Sequence, residues 1–173
     1  GVNKLSEQLD IPIDDAKTLI NQYHERVPFV KMLMRGVTDR LNDKASNGAI
    51  RSLKGRKCRF DLWEPDTFEM NKALPYQEAV LEYGATARLK RAYTYKALNR
   101  LIQASAADMT KQAMVNVYES GIVPLIQIHD ELAISVKDKA QADSVAKMME
   151  DSIPLEVPNA CSVEVGESWG TAA

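Results

Sequence analysis

The sequence predicts an α+β fold, helices packed on a small antiparallel sheet. Three observations carry this. From Ala97 to Ser120, Leu98, Ile102, Ala106, Met109, Ala113 and Val117 recur in steps of three and four, the period of one helix face. Leu125-Ile126-Gln127-Ile128 and Leu132-Ala133-Ile134-Ser135-Val136 are short β-type runs on either side of His129-Asp130, so a hairpin is expected there, with Leu132, Ile134 and Val136 on one face. Proline and glycine cut the rest into segments of element length. The 173 residues suit one ordinary domain or two small subdomains, and a hydrophobic content of 45% is enough for a core.

Taken in order, Ser6 to Gln22 places Leu9, Ile13, Ala16, Leu19 and Ile20 at helical spacing. Pro12 breaks the run, and Asp14-Asp15 suit the first turn of a second helix, where acidic groups complement the exposed N–H dipoles. After Pro28, Phe29 to Lys44 is expected to be a helix with Val30, Leu33, Met34, Val37 and Leu41 inward. Asn47-Gly48 signals a turn, and Ala49-Ile50 and Lys57 to Leu62 form short strands of a hairpin turning at Lys54-Gly55. Pro65 to Pro75 is the least regular stretch. From Pro75 the pattern becomes helical. Gly121 ends the long helix, and Pro124 enters the first hairpin strand where a missing N–H is tolerated. Lys139 to Ile153 is a further helix with Ala142, Val145, Ala146, Met149 and Ile153 as its stripe, stopped by Pro154. Ala160 to Val165 reads as a last strand beside the hairpin.

Charge is nearly balanced, at −2, but unevenly placed. Nine basic residues lie between Lys31 and Arg59 against Asp39 and Asp43, and six between Arg88 and Lys111 against one aspartate. From Asp130 to Glu167 nine acids face three bases. A basic front half with an acidic tail suits a phosphate-tracking surface beside a metal site, and also suits ordinary solvated helix faces. No apolar run approaches membrane-spanning length, so no membrane partner is expected. The first residues are polar and charged, unlike a secretory signal, and Leu5 stands where myristoylation wants Ser or Thr. Cys58 and Cys161 need not pair, which fits a reducing cytosol.

Gln127-Ile128-His129-Asp130-Glu131-Leu132 carries the chemistry. A partly desolvated carboxylate needs a cation or donors, and Asp and Glu oxygens are the ligands Mg²⁺ prefers. The plainer alternative is an exposed turn whose acids face water. The run Ala97-Leu98-Asn99-Arg100-Leu101-Ile102-Gln103-Ala104-Ser105-Ala106-Ala107-Asp108, taken with Gln127 to Glu131, resembles the C-terminal palm of family A DNA polymerases, the bacterial polymerase I type. There an Asn-x-x-x-Gln pair and a Ser/Thr-Ala-Ala-Asp segment lead to a His-Asp-Glu hairpin called motif C. Ser52-Leu53-Lys54-Gly55-Arg56-Lys57-Cys58-Arg59-Phe60 resembles the family's Thr-x-x-Gly-Arg-Arg segment. Leu155-Glu156-Val157-Pro158 and Val163-Glu164-Val165-Gly166-Glu167-Ser168-Trp169 resemble its closing segments. Leu5 to Val30, with Gln8-Leu9-Asp10-Ile11-Pro12 and Tyr23-His24-Glu25-Arg26-Val27-Pro28, is similar to the fingers region after motif B.

The resemblance implies a polymerase palm with part of the fingers: residues 1–75 as fingers-derived helices and a basic hairpin, 76–173 as the palm with long helix, motif C hairpin and a C-terminal helix and strand. It implies a DNA-directed DNA polymerase of phage or bacterial origin, working in a bacterial cytoplasm or a phage-infected host cell. Partners would be primer–template DNA, a dNTP and an N-terminal polymerase portion, in the same precursor or as a separate chain. No Asp-Tyr-Ser-like strand (motif A) and no helix supplying the Lys and Tyr of motif B is recognised in these residues, and Gly1 falls about where motif B ends. The chain is therefore expected to be a C-terminal piece, inactive alone.

By the same resemblance Asp130 is a catalytic metal ligand for two Mg²⁺ ions, with Mn²⁺ able to substitute, and the motif A Asp is the other. Glu131 is a supporting catalytic group. His129 sits near the primer terminus. Asn99 and Gln103, four apart on one helix edge, contact the minor groove, whose purine N3 and pyrimidine O2 acceptors occur in all four base pairs. Lys54, Arg56 and Arg59 contact backbone phosphates. The small residues Ala104 to Ala107 allow close approach of the hairpin or of DNA, or simply close helix packing. Two positions depart from the family pattern: Tyr95 stands where many relatives have Arg four residues before the helix Asn, leaving Tyr95 to stack on a base or sugar, and Ala104 replaces a Gly. Two other readings compete. One is a non-catalytic DNA-binding or assembly module that keeps the shape. The other, a His-Asp phosphohydrolase, needs more histidines than His24 and His129.

Overall fold

The computed structural model describes every residue except Phe68, Met70 and Ala173; the side chain of Lys44 is also outside the described set. Phe68 and Met70 belong to the stretch read from sequence as irregular. The chain forms two compact units: Gly1–Ile50 with Lys57–Arg100, and Arg51–Arg56 with Leu101–Ala173.

The first unit opens on α1 (Val2–Leu9), α2 (Ile13–Arg26) and α3 (Pro28–Asn42). Asp10, in the left-handed conformation at φ 51°, ends α1, and Pro12 caps α2, whose first turn carries Asp14 and Asp15 and whose last carries His24 and Arg26. Pro28 starts α3, where its missing N–H has no intrahelical acceptor anyway. The expected stripe of α3 is only partly inward. Leu41 is buried and Val30 and Val37 are half-buried, but Leu33 and Met34 are exposed. No described residue of the same unit covers that part of the helix.

Strands β1 (Ala49–Arg51) and β2 (Lys57–Arg59) form a two-stranded sheet, with Gly55 at φ 79° in the turn as expected. A second sheet runs β4-β3-β5, from β3 (Leu62–Pro65), β4 (Leu74–Pro75) and β5 (Leu89–Arg91). Its register sets Trp63 opposite both Leu74 and Arg91, and Glu64 opposite Lys90, an opposite-charge pair across strands. The Arg91 guanidinium lies 4.5 Å from the centre of the Trp63 ring and donates to the Phe60 carbonyl at 2.8 Å. It fills the space a Cβ on Gly48 would need, so that glycine cannot be replaced without moving the arginine.

Helix α4 (Tyr76–Tyr83) follows β4, but the helical pattern read onward from Pro75 is not continuous. Gly84 at φ 94° ends α4 and the chain returns to the sheet as β5, an element the sequence reading missed. Ala16, Leu41, Ile50, Phe60, Ala79, Ala92 and Ala97 are the buried apolar residues of this unit.

The second unit is built on α5 (Ala97–Glu119) from Leu101 onward, the hairpin β6 (Pro124–Ile128) and β7 (Glu131–Ile134), and α6 (Lys139–Glu150). Gly121 at φ 88° closes α5. Asp138 caps α6 by accepting the Gln141 N–H at 2.8 Å, and Ala142, Val145, Ala146 and Ile153 are buried as the stripe predicts. The helix ends at Glu150, three residues before the expected limit. On α5 the apolar stripe holds at Ala113 and Val117 and fails towards the N-terminus, where Ile102 and Ala106 are exposed and Asp108 is buried in their stead.

The expected strand at Ala160–Val165 is not one; these residues carry no ladder. Pro154 and Pro158 remove two backbone donors nearby, and the segment ties itself to the end of α6 instead. The Cys161 N–H donates to Glu150 Oε1 at 3.0 Å, and the Asn159 amide to the Glu150 carbonyl at 3.4 Å. The result is α+β as predicted, with three small sheets among the described residues where one was expected.

Candidate functional site

Ile128 pairs with Glu131, so β6 and β7 are joined by the two residues His129 and Asp130 alone. His129 takes φ 53°, a conformation that matches a two-residue loop to the twist of its strands. The Gln127 side-chain amide donates to the His129 carbonyl and closes the tip from one side. The reading of this segment as a hairpin turning at His-Asp thus agrees with the backbone. The alternation beyond it is cut short: β7 stops at Ile134, Val136 lies past its end, and Ala133 is half-buried together with Leu132 and Ile134. On β6, Leu125, Ile126 and Ile128 are all exposed.

Asp130 and Glu131 are exposed, and among the described residues neither carboxylate has an ion pair or a hydrogen-bond donor. Asp130 sits in the turn itself, so it does not alternate with Glu131 along an extended strand; Glu131 opens β7 instead. No three His, Cys, Asp or Glu side chains among the described residues converge to hold an ion. The carboxylate at the tip is of the right chemistry for Mg²⁺, a cation that takes oxygen ligands in near-octahedral geometry, and can supply part of such a set.

The remaining expected residues fall as follows. Asn99 and Gln103 lie a turn apart within α5 and both are exposed. Arg59 is exposed at the end of β2. Tyr95 is 73% exposed in a short 3₁₀ turn, with the Lys96 ammonium 5.5 Å from its ring centre and 5.0 Å from that of Tyr93. Lys54 is exposed in the turn after β1. Arg56 is not a free cation: it is paired with Asp108.

Asp108 is the residue sequence reasoning passed over. Its side chain is fully buried, and it accepts the Lys54 backbone N–H at 3.1 Å and the Arg56 guanidinium. Burial pushes its pKa up, but hydrogen bonds from the Ser52 hydroxyl, the Lys54 amide and Arg56, with the charge of Arg56, outweigh that and hold it below the ordinary aspartate range. Three residues earlier on α5, Ser105 Oγ accepts the Leu53 N–H at 3.3 Å. The local signal was weak: Ala104 and Gln112 at four-residue spacing offer Asp108 no charge, but Lys111 at three-residue spacing could pair with it, so the sequence alone does not mark this acid as buried.

With this geometry in hand, comparison with known proteins is informative. Residues 1–171 match the model of DNA polymerase family A. The chain is 35% identical over 156 residues to the DNA-directed DNA polymerase of Pseudomonas phage M6, covering 90% of this chain and 20% of that protein. It is 29% identical over 180 residues to the thermostable DNA polymerase I of Thermus aquaticus, covering 99% of this chain and 19% of that protein. Among solved structures it is similar to the POL domain of Pol1 from M. smegmatis in complex with DNA primer-template and dNTP, with TM-score 0.71 and 29% identity over 99% of this chain and 28% of that one. The chain thus spans about a fifth of the length of these polymerases. With 171 of its residues matched in one stretch, it belongs to DNA polymerase family A.

Proposed function

We propose that this chain is the C-terminal part of a DNA-directed DNA polymerase that transfers dNMP to a primer 3′-hydroxyl. Residues 1–75 would be the end of the fingers with a basic hairpin, and 76–173 the palm. The observation that carries the reading is the unpartnered, exposed Asp130 carboxylate at the His129–Asp130 tip of a hairpin, within a chain matched to the family over nearly its whole length.

In this reading Asp130 offers one of the two carboxylates that hold divalent ions, and the other comes from a portion these residues do not include. What Mg²⁺ or Mn²⁺ supplies when bound is a lowered pKa at the attacking hydroxyl and neutralised charge on the departing pyrophosphate. Glu131 supports the tip and positions the primer end, which lies against His129. The exposed amides of Asn99 and Gln103 donate to minor-groove acceptors and so test base-pair shape without reading sequence. Lys54 and Arg59 follow phosphates; Arg56 does so with whatever donors its pairing to Asp108 leaves free. Tyr95 stacks on a base or sugar.

The partners are primer–template DNA, a dNTP and the polymerase portion carrying motifs A and B, in a bacterial or phage-infected cytoplasm. Support for that last partner comes from apolar surface left exposed among the described residues, on α3 at Leu33 and Met34 and on β6 at Leu125 and Ile126. The test is primer extension with Mg²⁺. The chain alone should add no nucleotide, and mixing it with the portion that carries motifs A and B should restore templated synthesis. Incorporation by the chain alone refutes the dependence, and none by the mixture refutes the polymerase assignment.

A further inference from the structure

The turn Arg51–Arg56 is held far more tightly than its surface position requires. Ser52 N–H donates to the Arg56 carbonyl at 3.0 Å, Gly55 N–H to the Ser52 carbonyl at 2.9 Å, and the Arg56 N–H to Ser52 Oγ at 3.1 Å. The Arg51 guanidinium reaches the Gly55 carbonyl at 2.7 Å. Two further amides are drawn onto α5, Leu53 to Ser105 and Lys54 to Asp108. Outward from the turn are the side chains of Leu53, 55% exposed, and of Lys54, exposed and without an ion pair among the described residues. A hydrophobic anchor would fix such a turn at lower desolvation cost, since burying a carboxylate is expensive unless its partners are specific.

We infer that Asp108 is a positioning residue for DNA: by gripping the Lys54 amide and the Arg56 guanidinium from α5, it fixes the backbone from which the Lys54 ammonium reaches a backbone phosphate. The inference rests on the polymerase reading above. It also reassigns Arg56, whose charge is offset by Asp108 and whose share in phosphate neutralisation is correspondingly smaller than that of Lys54. A turn already ordered loses less backbone freedom on binding than a mobile one, so ordering of the turn appears as affinity for DNA and not as chemical rate.

The test measures binding of a fluorescent primer–template to the 173-residue chain over a range of salt, for the wild type, Lys54→Ala, Asp108→Asn and the double variant. Lys54→Ala should weaken binding about fivefold and flatten the salt slope by about 0.9, the value for one lost phosphate contact. In an Arg56→Ala background, where no guanidinium is released from its pair, Asp108→Asn should reproduce most of both effects, and the double variant should be no weaker than Lys54→Ala alone. In the mixture with the remaining polymerase portion, Asp108→Asn should raise KM for primer–template about fivefold and leave kcat within about twofold. Should Asp108→Asn prove unfolded by circular dichroism, Ser52→Ala, which also loosens the turn, decides by the same criteria. Multiplicative losses in the double variant, an unchanged salt slope, or a fall in kcat matching the rise in KM would each overturn the inference, as would no binding by the wild-type chain. Salt-dependent binding that Lys54→Ala flattens, in a mixture that synthesises nothing, would sink the polymerase reading and leave the role of the turn standing.

Discussion

Replacing Asp108 with Ala removes a fully buried carboxylate, and the structure sets the size of the loss. Two donors lose their acceptor inside the protein. They are the Lys54 N–H, bonded at 3.1 Å, and the Ser52 hydroxyl, whose residue is 6% exposed. Leaving a buried donor unmade costs about 1–3 kcal/mol. Arg56 is 45% exposed and can turn to water, so its share is at most about 1 kcal/mol. Relief from burying an anion offsets part of the total, and the net destabilisation should be about 2–4 kcal/mol, towards the low end of what breaking a buried pair costs. Asp108→Asn keeps the shape and one acceptor oxygen and should lose about half as much.

Urea denaturation of the purified chain, followed by circular dichroism, measures both. The pH dependence adds a second constraint. Because the folded pKa of Asp108 lies below its ordinary value of 3.8, its contribution is complete above that value and is lost as pH falls through the folded pKa. The wild type should therefore exceed Asp108→Asn by a constant margin from pH 5 to 8, and the margin should shrink only below about pH 4. An Asp108→Ala midpoint indistinguishable from wild type, or a margin that grows in acid, would refute the reasoning.

Other substitutions separate roles. Asp130→Ala should abolish synthesis by the reconstituted enzyme while leaving the urea midpoint and DNA affinity nearly unchanged, since its carboxylate serves no other described residue; activity within about tenfold of wild type contradicts the metal role. Gln103→Ala should weaken primer–template binding about fivefold, with the same loss for every terminal base pair, as titrations with the four pairs would show. Asp138→Ala removes the side-chain cap of α6 and should cost about 1 kcal/mol in urea denaturation without altering DNA binding.

The elements that sequence revealed were those with local causes. Pro12, Pro28 and Gly121 mark helix ends because each acts through its own backbone, and the hairpin at His129–Asp130 was legible because a two-residue turn needs only its flanking strands. What escaped depended on distant partners. β5 is three residues long and exists only because β3 lies beside it. Ala160–Val165 has the alternation of a strand, yet Glu150 takes the Cys161 N–H, and the Asn159 side-chain amide ties the chain just before it to the same residue. Periodicity was right about which face of α3 is apolar and wrong about its being inward: a stripe reports that a face favours cover, and Leu33 and Met34 find none in these residues. The two-residue turn and the shared exposed edge of Asn99 and Gln103 on α5 were legible. The pairing of Arg56 was not, because nothing local to Ser52–Phe60 tells a free cation from one committed 52 residues away.

Two aspartates in the motif-bearing segments meet opposite fates, and the contrast bears on function. Asp108 is given a hydroxyl, a backbone amide and a guanidinium, and every one of those donors comes from a single turn. Asp130 is given nothing by the described residues, on a tip where Gln127 satisfies the neighbouring carbonyl and stops short of the carboxylate. A chain that neutralises its structural acid so fully has donors to spend, among them the exposed Lys54 and Arg59. An acid left bare at a two-residue turn costs the fold little, because water solvates it. It becomes useful only where a cation and the ligands to complete its shell are brought to it, and so the tip and the anchored turn divide the work of the proposed enzyme: one for the reacting phosphate, the other for the phosphates that hold the duplex in place.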